Sequence, residues 1–333
     1  MQSLIKLAGV ALATMLLFGA SGAQAQQKIR LAGNFAVEHS SSQAMEVFKT
    51  ELAKLTNGKL TVDVFPAQQL GGAAENVQAV RNGTIEMIWV GMAFLTRTVP
   101  ELEAVSLPFQ YPNRDVAFKV VDGPVGDVLD KKLADKGMLS LGYMELGARQ
   151  VTNSRRPIKT LEDFKGLKIR LQPNETHLAT FRALGANAVA MDIKELYSAL
   201  EQKVMDGQEN PFSIIWVSRY FEVQKYISDT GHFFDFISIL ANRKAFNSLS
   251  PENQQAIRKA MATAIAFQRD LAKKQDAEAL EQLRKRGMQF DAVSPQLTAD
   301  MRKATVGVVE DAKKRAGADL VSLVDQEIAK ASK

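Results

Sequence analysis

Arg149 and Arg170 are the residues whose setting points most directly to chemistry. Arg149 follows a predicted strand and Gly147, and Arg170 ends the predicted strand Gly166-Leu167-Lys168-Ile169-Arg170-Leu171. In open α/β sheets, small ligands gather at the carboxyl ends of strands. Two guanidinium groups brought to two strand ends can hold one planar carboxylate through paired, charge-assisted hydrogen bonds. Farther along, Asp206-Gly207-Gln208-Glu209-Asn210-Pro211 closes a predicted helix and reads as a turn carrying a dense polar cluster, with Asn210 as a third candidate. The competing reading of each arginine is a solvated surface charge, and spacing alone does not separate the two.

Catalysis finds less support. The chain has no Cys, and its three His residues, His39, His177 and His232, lie far apart. Disulfides, thiolate zinc sites, iron–sulfur clusters and cysteine nucleophiles are therefore excluded together, and no metal site is expected. There is no H-E-x-x-H, G-x-S-x-G, Walker A or G-x-G-x-x-G segment. No cofactor is expected, and binding is favoured over an enzyme. The net charge of +5 is small and scattered, which speaks against a nucleic-acid partner. With 46% hydrophobic and 24% charged residues the composition is that of a folded globular chain.

These side chains need elements to position them, and 333 residues suggest about two domains. The first 25 residues stand apart from the fold. Lys6, the apolar run Leu7 to Ala20 and the small-residue site Ala23-Gln24-Ala25 form a secretory leader, with cleavage before Gln26. That run is shorter than the roughly 20 residues of a membrane span. The expected product is exported and periplasmic. After it, strand and helix patterns alternate: a strand at 28–32, a helix at 40–57, a strand at 59–65, a helix after Gly71-Gly72 that ends at Gly83, and a strand at 84–90. This is βαβ organisation. It restarts near residue 138, with strands at 138–144, 150–153, 166–171 and 186–191 and helices at 175–184 and 193–205. Thr160-x-x-Asp163 resembles a capping box, and Asp192 is placed to cap the helix that follows it. Pro251 to Arg286 contains no internal Gly or Pro, with Ser250 as N-cap and Gly287 as terminator. As one helix it spans roughly 50 Å, at 1.5 Å per residue, which is long enough to run along two lobes.

Several segments together carry a family resemblance. They are Phe65-Pro-Ala-Gln-Gln-Leu-Gly71, Gly147-Ala-Arg-Gln-Val-Thr-Asn-Ser154, Pro157-Ile-Lys-Thr-Leu-Glu-Asp-Phe-Lys-Gly-Leu-Lys-Ile-Arg170, Leu184-Gly-Ala-Asn187, Glu195-Leu-Tyr-Ser-Ala-Leu200, Asp206-Gly-Gln-Glu-Asn-Pro211 and Phe221-Glu-Val-Gln-Lys225. In this order they resemble the solute-binding proteins of tripartite ATP-independent periplasmic (TRAP) transporters, the DctP-like family, across essentially the whole mature chain. The resemblance implies a two-lobed α/β periplasmic-binding-protein fold with a central ligand cleft and a long helix spanning both lobes. The division it suggests is a leader at 1–25, a first lobe of 26–146 plus about 236–275, and a second lobe of 147–235 plus about 276–333. It implies a small organic anion as ligand and a membrane permease of small and large subunits as partner. The binding protein itself is expected to be a monomer.

The resemblance also assigns roles. Arg170 would make the main salt bridge to the ligand carboxylate, with Arg149 and Asn210 completing the site. Members that bind sialic acid carry acidic residues at the positions of Ala73 and Gly91 and an aromatic at Ile193, so sialic acid is not expected. Asn34, Gln172 and Asn174 are further candidates for ligand contact. Glu75 is either a cleft residue or a charge favoured by a helix N-terminus. Trp89, Phe94, Phe212 and Trp216 could wall the cleft or belong to the core. A C4-dicarboxylate or a related hydroxy- or keto-acid is the favoured ligand, with a sugar acid or aromatic acid as the alternative. A secreted enzyme and a sensory subunit that presents its ligand to a receptor are the competing functions.

Overall fold

The structure is a computed structural model that describes residues 27–333, so the leader and its cleavage point lie outside the described residues. The chain begins with the expected alternation: β1 (Gln27–Gly33), α1 (Ser40–Leu55), β2 (Leu60–Phe65), α2 (Ala73–Asn82) and β3 (Met87–Gly91). β1 lies between β2 and β3 and is parallel to both. The helical periodicity of Ala44, Val47, Phe48, Leu52 and Leu55 predicts the inner face of α1 in part: Ala44, Phe48 and Leu52 are buried together with Met45, whereas Leu55 is exposed. Gly83 ends α2 at φ 82°, where it donates its N–H to the Ala79 carbonyl; a side chain is disfavoured in that left-handed conformation.

After α3 (Arg114–Val121) and α4 (Pro124–Asp135), the long strand β4 (Met138–Ala148) leads directly into β5 (Gln150–Asn153), which belongs to a second sheet. The second sheet grows through β6 (Lys168–Leu171), α5 (Glu175–Ala183), β7 (Asn187–Ala190), α6 (Ile193–Glu201), β8 (Gly207–Asn210), α7 (Phe212–Val217) and β9 (Tyr226–Asp229). The chain then returns through β10 (Phe234–Asn242) and α8 (Arg243–Asn247) to α9 (Pro251–Lys285), followed by β11 (Gln289–Ala292), α10 (Pro295–Ala304), α11 (Val306–Ala316) and α12 (Ala318–Ala331). The strand orders are β2-β1-β3-β10-β4 and β11-β9-β5-β8-β6-β7. The two sheets are the cores of two lobes. The chain crosses between them at β4–β5, at β9–β10 and along α9, so no loose linker joins the lobes.

α9 is a single helix of 35 residues, and the Ser250 hydroxyl caps it by accepting from the Asn253 N–H. It packs against α1 and β4 of the first lobe and α7 of the second, which ties both lobes to one rod. Asp163 accepts from the Thr160 N–H at 2.8 Å, and this capping-box bond holds a short 3-10 turn at Leu161–Phe164.

Two expectations change. Residues 207–210 are not a turn: they form β8, paired between β5 and β6 in the middle of the second sheet. Their polar side chains suggested exposure, yet all four residues are buried, because Arg149, Thr152 and neighbours supply hydrogen bonds inside the sheet. The C-terminal helices also depart from the expected division. β11 joins the second sheet and α10 stays beside it, but α11 rests on both α5 and the 3-10 segment Pro100–Val105, and α12 returns to α3 and α4. The segment 306–331 therefore straps the second lobe to the first.

Candidate functional site

Arg149 sits at the β4–β5 crossing and is completely buried. Its Nε and Nη2 donate to the carboxylate of Glu209 in β8, with Nη2–Oε1 at 2.8 Å. Nη2 also meets the Glu209 carbonyl at 2.7 Å and Asn210 Oδ1 at 3.1 Å. Nη1 lies 3.7 Å from Asp235 Oδ2 in β10 and has no hydrogen-bond partner among the described residues. Burial opposes the Arg149 charge, but Glu209 and then Asp235 outweigh it and hold its pKa above the ordinary value. Burial likewise works against the Glu209 charge, yet Arg149 and His232 hold that carboxyl well below the usual carboxylate range. His232 Nε2 lies 3.1 Å from Glu209 Oε2, and its Nδ1 lies 2.7 Å from the Thr230 hydroxyl. A carboxylate can only accept, so Nε2 donates to Glu209, and burial pushes the His232 pKa down against the opposing pull of Glu209.

Arg170, in β6, is in a different state. Its Nε donates to the Met191 carbonyl at 2.9 Å. Nη1 and Nη2 are buried and have no partner among the described residues, none of whose carboxylates pairs with the guanidinium. Burial lowers its pKa, with Tyr220 and Glu209 opposing and Arg149 adding a like charge. A buried cation with two unused, parallel donors is costly unless an anion completes it. Arg149 is thus already matched by carboxylates, while Arg170 is not.

The remaining candidates divide. Asn34 follows β1, is 3% exposed, and neither end of its amide has a partner. Gln172 donates from Nε2 to Asp235 Oδ2 at 3.0 Å, so it is anchored to the acid that faces Arg149. Asn174 caps α5 by accepting from the His177 N–H, which leaves its buried Nδ2 unpartnered. Asn210 accepts from Arg149 and donates to Gln208 Oε1, so it buttresses Arg149. Glu75 is exposed, and its Oε2 accepts from the Gly72 N–H at 2.7 Å. Of its two readings, the helix-terminus charge describes it. Trp89 belongs to the core against Phe48, although its buried Nε1 has no partner. Gly91 faces the opposite lobe, where a Cβ would lie 3.0 Å from Gln172 Oε1.

The lobes touch around these groups. Asp192 caps α6 by accepting from the Lys194 N–H at 3.1 Å, and its other oxygen accepts from the Ala73 N–H at 2.9 Å, at the start of α2 in the first lobe. Glu103 accepts from Thr176 at 2.6 Å and from Arg315 at 2.7 Å. Ser106 and His177 are 2.7 Å apart. This Ser–His pair does not resemble a catalytic dyad. His177 Nδ1 has no orienting acid, and burial pushes the ring pKa down to about 3.

Reasoning from sequence missed Glu209, Asp235 and His232 as the groups that surround Arg149. A signal did exist for Asp235, a lone acid in the aromatic run Phe233-Phe234-Asp235-Phe236. An acid amid such residues must find a partner when buried.

Comparison with known proteins agrees with this architecture. Residues 31–315 match the family described as bacterial extracellular solute-binding protein, family 7. The 2,3-diketo-L-gulonate-binding periplasmic protein of Escherichia coli is 34% identical over 308 residues, covering 91% of this chain and 92% of that protein. The sugar acid binding protein of Advenella mimigardefordensis, solved in complex with galactonate, superposes with a TM-score of 0.90 at 34% identity, covering 92% of this chain and 98% of that one. A TRAP periplasmic solute-binding protein from Sulfurospirillum deleyianum with bound succinate gives 0.86 at 28% identity, covering 90% and 98%. Two α/β lobes around a buried, unmatched arginine and a match over nearly the whole folded chain lead to one conclusion: this protein belongs to the DctP-like family of bacterial extracellular solute-binding proteins, the family 7 binding subunits of TRAP transporters.

Proposed function

We propose that the cleft captures a small carboxylate, favouring a hydroxy acid, at Arg170 and that the protein delivers it to a TRAP permease of small and large membrane subunits. The observation that carries this reading is the buried Arg170 guanidinium with Nη1 and Nη2 both unpartnered. One planar carboxylate satisfies both donors at once. Arg149 is held by Glu209 and Asp235 and lends only Nη1, while Asn210 keeps Arg149 in place. The partnerless amide of Asn34 and the unused Nδ2 of Asn174 offer hydrogen bonds of the kind hydroxyl groups use. Relatives named for diketogulonate and solved with galactonate or succinate support the carboxylate class.

The lobes bearing the two sheets close on the ligand by bending at the three crossings, and the exported chain works in the periplasm as a monomer. A thermal-shift screen of organic acids against the mature protein tests the reading. A ligand at 100 times its Kd adds about 2.7 kcal/mol to stability. A panel of hydroxy-, keto-, dicarboxylic and sugar acids that gives no shift refutes it.

A further inference from the structure

We propose that Gln68 selects the end of the ligand remote from Arg170, accepting a hydrogen bond from a hydroxyl there and turning away a second carboxylate. The inference rests on the assignment of Arg170 as the carboxylate clamp and extends it to the other end of the ligand.

Gln68 lies in the loop between β2 and α2. Ala67 and Gln68 both have left-handed backbones, at φ 51° and 62°. Such a conformation is uncommon for residues other than glycine, and two in succession persist only where the surroundings impose them. Here the end of β1 does so: the Ala67 N–H donates to the Phe35 carbonyl at 2.9 Å, and the Gln68 N–H to the Gly33 carbonyl at 3.0 Å. The twisted loop turns the Gln68 side chain toward Asn34, whose backbone carbonyl accepts from Nε2 at 3.2 Å. A carbonyl can only accept, so this bond decides which way the amide points. Oε1 is then left as a buried acceptor without a partner.

A cavity of about 190 Å³ opens beside it, bounded by Asn34 and Gln68 from the first lobe and Ile193, Tyr197, Ile214 and Tyr220 from the second. Ile193 connects this space to the clamp, because it lies two residues after Met191, whose carbonyl accepts from Arg170 Nε at 2.9 Å. None of the residues lining the cavity is Lys, Arg or His. A hydroxyl entering it can donate to Gln68 Oε1 and exchange hydrogen bonds with the Asn34 amide. A carboxylate entering it would meet that acceptor and find no cation among the lining residues.

Galactonate and galactarate have the same six-carbon chain and differ at the far end, a hydroxymethyl in one and a carboxylate in the other. Calorimetry on the mature protein should show galactonate binding at least tenfold more tightly than galactarate. Gln68→Leu should lose about tenfold in galactonate affinity and narrow the gap. Gln68→Asn, whose side chain tolerates the left-handed backbone, should lose affinity similarly while keeping thermal stability. Galactarate binding as well as galactonate overturns the inference, as does a wild type that binds neither acid or a gap unchanged in both Gln68 variants with normal circular dichroism. Arg170→Ala separates the two levels. If it abolishes binding while the Gln68 variants behave as wild type, only the end-group selection fails; if it leaves binding intact, the carboxylate clamp itself fails.

Discussion

Replacing Arg170 with Met retains much of the side chain's bulk and removes its charge, and it should move affinity and stability in opposite directions. Without ligand, Arg170 makes one side-chain hydrogen bond, Nε to the Met191 carbonyl, and leaves two buried donors unpaired. Losing that bond costs about 1 kcal/mol, whereas each unpaired buried donor costs roughly 1–3 kcal/mol. The ligand-free Arg170→Met protein should therefore gain about 1–5 kcal/mol, from two donors relieved less one bond lost, and melt several degrees higher. Its ligand affinity should fall by about 2–5 kcal/mol, or roughly 30- to 4,000-fold in Kd, because the carboxylate is then buried without its partner. Arg149→Met is the control. It leaves Glu209 and Asp235 buried without their cation, and breaking a buried pair from one side costs roughly 3–5 kcal/mol. Thermal unfolding by circular dichroism, with and without the ligand from the thermal-shift screen, reads stability, and calorimetry reads affinity. The reasoning is refuted if Arg170→Met destabilises the ligand-free protein as much as Arg149→Met does, or if it still binds within threefold of wild type.

Two further outcomes follow from the same geometry. Burial pushes the Asp276 carboxyl up to about 6, against the opposing effect of its hydrogen bonds from Ser213. The native state then holds a proton there that the unfolded chain has already released, so this group's contribution to stability falls as pH rises from about 4 to 6. Asp276→Asn should be about 1 kcal/mol more stable than wild type at pH 7.5 and nearly neutral in effect at pH 5, measured by urea unfolding; equal effects at both pH values would contradict it. Asp192→Ala removes both the cap of α6 and the bond to the Ala73 N–H in the other lobe. It should cost about 1 kcal/mol in stability and speed ligand release several-fold in stopped-flow displacement, and an unchanged release rate would show that the contact does not hold the lobes closed.

Much of the fold was readable along the chain because the signals are local. Gly83, the Ser250–Pro251 start of α9 and the Asp192 cap each act within a few residues. The two arginines at strand ends were also visible, since strand ends are marked by pattern and ligands gather there. The polar segment 207–210 was misread because local composition reports solvent preference, whereas its burial depends on β5 and β6 pairing on either side of it. Glu75 stayed ambiguous because both of its readings place an acid in the first turn of a helix.

The state of each arginine was beyond the reach of the sequence. Arg149 and Arg170 have the same side chain and comparable positions after predicted strands, yet one is neutralised and the other is not. The difference lies in Glu209 and Asp235, which β8 and β10 bring to Arg149 from some sixty and eighty-six positions away. The sequence by itself pointed to two lobes and to two arginines at strand ends, and left open whether either is buried. Only the tertiary structure decided which cation remains for a ligand, because Coulomb attraction and desolvation depend on distances of a few ångströms, and those are set by strand pairing between segments remote in the chain.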